Sequence, residues 1–104
     1  MCGIAGGIGP SAPSKLVLDN QLDSIKHRGP DDQGTYVNQG IALGMCRLAI
    51  VEIADGKQPA SDERNSIHLV FNGEIYNYRE LRHELELSGI CCRDSSESEV
   101  IINL

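Results

Sequence analysis

The stretch Gly3-Ile4-Ala5-Gly6-Gly7-Ile8 constrains this chain more than any other. Three glycines in six residues disfavour a helix and suit a buried strand that another backbone approaches closely. A second element is marked by its cap. Ser14 is placed to cap a helix over about 15–26, with Leu18, Leu22 and Ile25 on one face. The polar segment 27–34 reads as a turn, and strands over about 34–38 and 41–45 join through Asn38-Gln39-Gly40 as a hairpin. Arg47 to Val51 continues in extended, apolar character, and residues 55–66 form a long polar loop of the kind that is often functional.

A strand over 67–71 is predicted to end in Asn72-Gly73-Glu74. Asn77 with Glu80 has the form of a capping box, Leu81 and Leu85 mark the buried face of the helix it opens, and Gly89 ends it. A short strand at 90–92 precedes a second capping pattern, Ser96 with Glu99, which opens the apolar run Val100-Ile101-Ile102. Strands interspersed with two or three helices give an α+β class. The last helix stops at Leu104 after about two turns, so the domain is expected to continue beyond it.

Composition narrows the function classes. The 104 residues make one domain or part of one, and a net charge of -6 argues against nucleic acid or an anionic membrane as partner. No apolar run is long enough to span a bilayer and no leader pattern is present, so a cytoplasmic protein is expected. Cys2, Cys46, Cys91 and Cys92 match no zinc spacing, and an adjacent pair is awkward for a disulfide scaffold. They read as reduced thiols, with Cys46, Cys91 and Cys92 as core residues and no metal expected.

Cys2 is different because of its position. Removal of Met1 leaves Cys2 at the terminus, where its α-amino group, with a pKa of about 7.7–8.0, can serve as base to its own thiol. A Met-Cys start alone is usually only a start. Five blocks of sequence give it more weight: Met1-Cys2-Gly3-Ile4-Ala5-Gly6, His27-Arg28-Gly29-Pro30-Asp31-Asp32-Gln33-Gly34, Gly44-Met45-Cys46-Arg47-Leu48-Ala49-Ile50-Val51 with Gln58-Pro59, Val70-Phe71-Asn72-Gly73-Glu74-Ile75-Tyr76-Asn77-Tyr78-Arg79-Glu80-Leu81-Arg82, and Ser96-Glu97-Ser98-Glu99-Val100-Ile101. These blocks, in this order over almost the whole chain, resemble the class II glutamine amidotransferases, which are N-terminal-nucleophile enzymes. The Arg-Gly-Pro-Asp, Arg-Leu-Ala-Ile-Val and Asn-Gly-Glu-Ile-Tyr-Asn forms resemble the glutaminase domain of glutamine-hydrolysing asparagine synthetases.

The resemblance implies a four-layer αββα sandwich, of which this chain holds the N-terminal part. It implies Cys2 as nucleophile on the side-chain amide of glutamine, with the Asn72 side chain and the Gly73 N–H as oxyanion donors. Arg47 matches the position that pairs with the α-carboxylate, a task suited to a guanidinium fork. Leu48, Ala49, Ile50, Val51 and Glu74 match the rest of the glutamine pocket. Glu97 stands where the family has an aspartate for the α-ammonium; the charge is kept and the reach is longer by one methylene.

The resemblance also implies a synthetase domain absent from residues 1–104, which would bind ATP and magnesium, adenylate aspartate and receive ammonia. Glutamine, that synthetase domain and a second copy in a homodimer are the partners expected. Plainer readings stand beside these. Arg47 alone is a surface charge, Asn72-Gly73 alone is a hairpin turn, and Glu97 suits the first turn of any helix. His27 and Arg28 are read as shaping the loop near the site, and His68 and His83 as surface or packing residues. Arg79, Glu80, Arg82, Glu84 and Glu86 are read as a solvated helix face. The contrasting function is a non-catalytic remnant or binding protein that keeps the amidotransferase face, or a related amidotransferase acting on another acid.

Overall fold

The computed structural model describes residues 2–48 and 56–104. Its first half is a three-stranded antiparallel sheet in the order β1-β3-β2, from β1 (Gly3–Ile8), β2 (Asp32–Asn38) and β3 (Ile41–Arg47). The hairpin turn falls where predicted, with Gly40 at a φ of 74° in the left-handed region. Strand β2 starts at Asp32, two residues before the expected boundary, so the end of the supposed polar turn is already laddered to Arg47 and Cys46.

Helix α1 (Lys15–Ser24) starts at Ser14, whose side chain accepts from the Val17 N–H at 3.4 Å. It lies across one face of the sheet. Register puts Gly3, Cys46 and Gln33 side by side, then Ala5, Gly44 and Thr35, then Gly7, Ala42 and Val37. These mostly small residues let the helix settle close, and Leu18 and Leu22 are wholly buried with Ala42 and Cys46 beneath them. Ala5 and Ile25 complete that core. A Cβ at Gly44 would meet Leu22 Cδ1 at 2.8 Å, so the glycine fixes the depth to which Leu22 can sink.

The alternate set, Ile4, Gly6 and Ile8 on β1 with Met45, Leu43 and Ile41 on β3, faces the other way. Two contacts connect that face, on its β2 side, to the second half. Gly34 backs onto the Gln58 carbonyl, and the Tyr36 ring stacks on His68 with centroids 3.6 Å apart. The second half contains β4 (Ala60–Ser61) paired antiparallel with β5 (His68–Leu69), then α2 (Tyr78–Leu87) and α3 (Glu97–Asn103). Helix α3 packs against β4, β5 and α2. Val100 and Ile102 are its buried apolar side chains.

Several expectations change here. The expected loop 55–66 contains β4; of the expected strand 67–71 only His68–Leu69 is laddered; and residues 90–92 form no strand. Helix α2 starts where predicted, but Asn77 makes no side-chain cap bond. The helix ends at Gly89 in a Schellman arrangement, with Ile90 N–H on Leu85 O at 2.9 Å and Gly89 N–H on Glu86 O at 3.0 Å. Cys46 is a core thiol, whereas Cys91 is exposed and Cys92 half-buried. Burial pushes the Cys46 and Cys92 thiols above their ordinary range. The extended run Arg47 to Val51 holds for Arg47 in β3; residues 49–51 lie outside the described residues.

Candidate active site

Cys2 leads directly into β1, so the sheet carries it to the end of the cleft between the two halves. Its carbonyl accepts from Arg28 Nε at 3.1 Å and from Asn72 Nδ2 at 3.3 Å. Its sulfur faces the Leu48 N–H at 3.5 Å. The nucleophile candidate is thus gripped by three separate segments of chain.

The cleft has a volume of about 460 Å³ and is lined by Cys2, Arg47, Asn72, Gly73 and Glu97 among others. Those five come from positions scattered over the sequence. Antiparallel pairing of β1 with β3 sets Arg47 near Cys2, because Gly3 is opposite Cys46. Asn72 and Gly73 come after β5 in a segment outside any ladder or helix. Glu97 is the first residue of α3, and its Oε2 accepts the Ile75 N–H at 2.6 Å.

Of the other residues expected at the site, Leu48 borders Cys2 and is exposed, and Glu74 is exposed without joining the cleft lining. Ala49, Ile50 and Val51 lie outside the described residues. Among the described residues no group of three His, Cys, Asp or Glu side chains could hold a metal ion. No described helix is long and apolar enough to cross a membrane.

Three residues shape the cleft without having been singled out for it. Gln58 lines it and pairs with the main chain of Phe71 from both sides of its amide: Oε1 accepts the Phe71 N–H at 2.6 Å and Nε2 donates to the Phe71 carbonyl at 3.0 Å. Asp94 accepts from the Ser96 N–H at 2.8 Å, the Ser96 hydroxyl at 2.5 Å and the Gly56 N–H at 3.3 Å. Burial works against its carboxylate, and those bonds outweigh it, so the Asp94 carboxyl stays below its ordinary range. Arg82, read as part of a solvated face, also donates from Nη1 to the Asp94 carbonyl at 2.7 Å while pairing with Glu86.

Glu99 does not close the second capping box. The Ser96 hydroxyl does accept the Glu99 N–H at 3.2 Å, but the Glu99 carboxylate turns to Arg93, taking its N–H at 3.1 Å, Nε at 3.0 Å and Nη2 at 2.9 Å. Arg93 Nη2 also reaches the Ser61 carbonyl on β4. Burial alone would raise the Glu99 carboxyl; the bonds from Arg93 and Asn103 hold it lower than usual. Only the position next to a predicted helix start could have flagged this ion pair.

Known proteins match this chain over most or all of its length. The family described as "Glutamine amidotransferase domain" matches residues 1–104. Asparagine synthetase [glutamine-hydrolyzing] 1 of Bacillus subtilis (strain 168) is 36% identical over 107 residues, covering 98% of this chain and 17% of that protein. The root asparagine synthetase [glutamine-hydrolyzing] of Pisum sativum is 39% identical, covering 100% of this chain and 18% of its own length. Amidase chry2 of Gibberella zeae is 38% identical over 94 residues, covering 84% of this chain and 13% of its own. The chain thus spans 13–18% of the length of these relatives.

Proposed function

The chain belongs to the glutamine amidotransferase family, and from that premise we propose that it releases ammonia from glutamine with Cys2 as the nucleophile. The observation that carries this reading is the cleft, whose lining includes Cys2, Arg47, Asn72, Gly73 and Glu97. With Met1 removed, the Cys2 α-amino group takes the thiol proton as sulfur attacks the side-chain amide carbon of glutamine. The carbonyl π pair moves onto oxygen, and the Asn72 side-chain N–H and Gly73 N–H stabilise the oxyanion. Collapse expels ammonia, which leaves with the returned proton, and a thioester remains. Water then attacks the thioester and releases glutamate.

Arg47 takes the α-carboxylate of glutamine and Glu97 the α-ammonium, with Leu48 to Val51 and Glu74 completing the pocket. In a longer protein the ammonia serves a synthetase domain that binds ATP and magnesium and amidates activated aspartate. That reading draws on relatives named as glutamine-hydrolysing asparagine synthetases. The relative named as an amidase supports a second one, in which the same ammonia meets a different acceptor acid.

The layering supports a four-layer sandwich extended by further strands: α1 covers one face of the first sheet, β4-β5 stands on part of the other, and α3 packs against β4 and β5. Exposed Ile4 and Ile8 on the uncovered part of that face are what additional strands would bury. The test is ammonia release from glutamine by protein whose Met1 is shown by mass spectrometry to be gone. Activity in the wild type, lost in Cys2→Ala, is expected. Equal activity in Cys2→Ala would overturn the assignment.

A further inference from the structure

Residues 71–75 carry both proposed oxyanion donors, yet the segment belongs to no strand and no helix. A segment outside any ladder or helix has no regular main-chain pairing of its own to hold two donors at fixed positions. Its ends are nevertheless fastened. At Phe71, immediately before Asn72, the Gln58 amide makes the two bonds that a neighbouring strand would otherwise supply, at 2.6 and 3.0 Å. At Ile75, two residues after Gly73, the Glu97 carboxylate accepts the N–H at 2.6 Å.

The fastening points are themselves anchored. Gly34 on β2 lies so close to the Gln58 carbonyl that no side chain could occupy its place, so Gln58 rests on the main sheet. Glu97 is the first residue of α3, whose own start is tied through Ser96 and Asp94 to Gly56. The Phe71 ring lies under Gly73, where an added Cβ would meet Cε2 and Cζ at 3.2 Å.

From this we infer that Gln58 and Glu97 are positioning residues, which hold the Asn72–Gly73 donors from both ends before glutamine arrives. The inference rests on the glutaminase reading, and it gives the extra methylene of Glu97 a purpose: the longer side chain reaches Ile75 N–H with one oxygen while the other remains available to an ammonium. Preorganised donors act in the transition state and not in substrate binding, so loosening them lowers kcat with little change in KM. A merely structural role would not produce that split.

Three variants of the full chain separate the roles. Gln58→Glu keeps an acceptor for the Phe71 N–H but turns a second oxygen on the Phe71 carbonyl; kcat is expected to fall about tenfold or more, with KM for glutamine within about threefold of wild type. Glu97→Asp keeps the charge and loses the reach, so kcat falls while the Ile75 N–H loses its protection from hydrogen exchange. Glu97→Gln keeps a carbonyl acceptor for Ile75 and loses the charge, so the amide stays protected while KM rises about tenfold or more. Wild-type kcat in Glu97→Asp, or a rapidly exchanging Ile75 N–H in the wild type, would overturn the inference. Slow exchange at Phe71 and Ile75 in a wild type that releases no ammonia would overturn the glutaminase reading and leave the two-ended tether standing.

Discussion

Across β1, β3 and β2 the chain is held by long antiparallel ladders and by Leu18 and Leu22 pressed onto small residues. Beyond residue 56 the two strands are two residues each, and side chains do much of the joining. Gln58 stands in for a strand at Phe71, Asp62 accepts from the N–H groups of Ser66 and Ile67, Asp94 ties Gly56 to Ser96, and Glu99 grips Arg93. One half rests on apolar contact and main-chain pairing, which are indifferent to charge. The other rests on carboxylates and amides whose strength depends on charge state and on single atoms. Donors that must be aimed, such as those proposed at Asn72 and Gly73, are easier to build by the second method.

The contrast can be broken most forcefully from the apolar side. Leu22→Ala opens a cavity over Ala42 and Cys46 and is expected to cost ~2–5 kcal/mol, read as a drop in the urea midpoint. A loss near zero would mean that α1 does not support the sheet. Next comes the charged side: Glu99, only 6% exposed, accepts three bonds from Arg93, and Glu99→Gln is expected to cost ~1–3 kcal/mol. Hydrogen exchange should show that loss in residues 93–104 while the β1-β3 ladder keeps its protection. Equal loss in the ladder would show that the halves unfold as one unit.

The smallest effect is a pH dependence. The Asp62 carboxyl is lowered from 3.8 to about 2, first by the Ile67 N–H and then by Ser66. A carboxyl depressed in the folded state adds stability above its unfolded pKa and loses it as pH falls through the folded value. Asp62→Asn should therefore unfold slightly earlier than wild type at pH 5, and the two midpoints should converge as pH falls from 3.8 toward 2. A constant gap would mean that the charge is not what the turn uses.

The same contrast explains how far the sequence could be read. Strand β1, helix α1 and the β2-β3 hairpin were legible because their signals are local: a glycine-rich strand, Ser14 before a periodic leucine face, and Gly40 in the turn. In the second half the decisive partners are far apart in sequence, as Gln58 and Phe71 are, and no periodicity announces them. That is why β4 passed for loop and residues 90–92 for strand. Ser96 and Glu99 looked like a reciprocal cap, but an arginine at Arg93 competes for the carboxylate more strongly than a single N–H does. Within the site, the blocks named Cys2, Arg47, Asn72, Gly73 and Glu97, which the cleft does gather; they read Arg28 only as shaping the nearby loop, where it in fact bonds the Cys2 carbonyl, and they gave no hint of Asp94.

The double grip on the Cys2 carbonyl, by Arg28 and Asn72, has a practical side. Cys2 itself lines the cleft. An affinity handle fused ahead of it therefore starts at the cleft lining and ties up the α-amino group that the proposed reaction uses as its base.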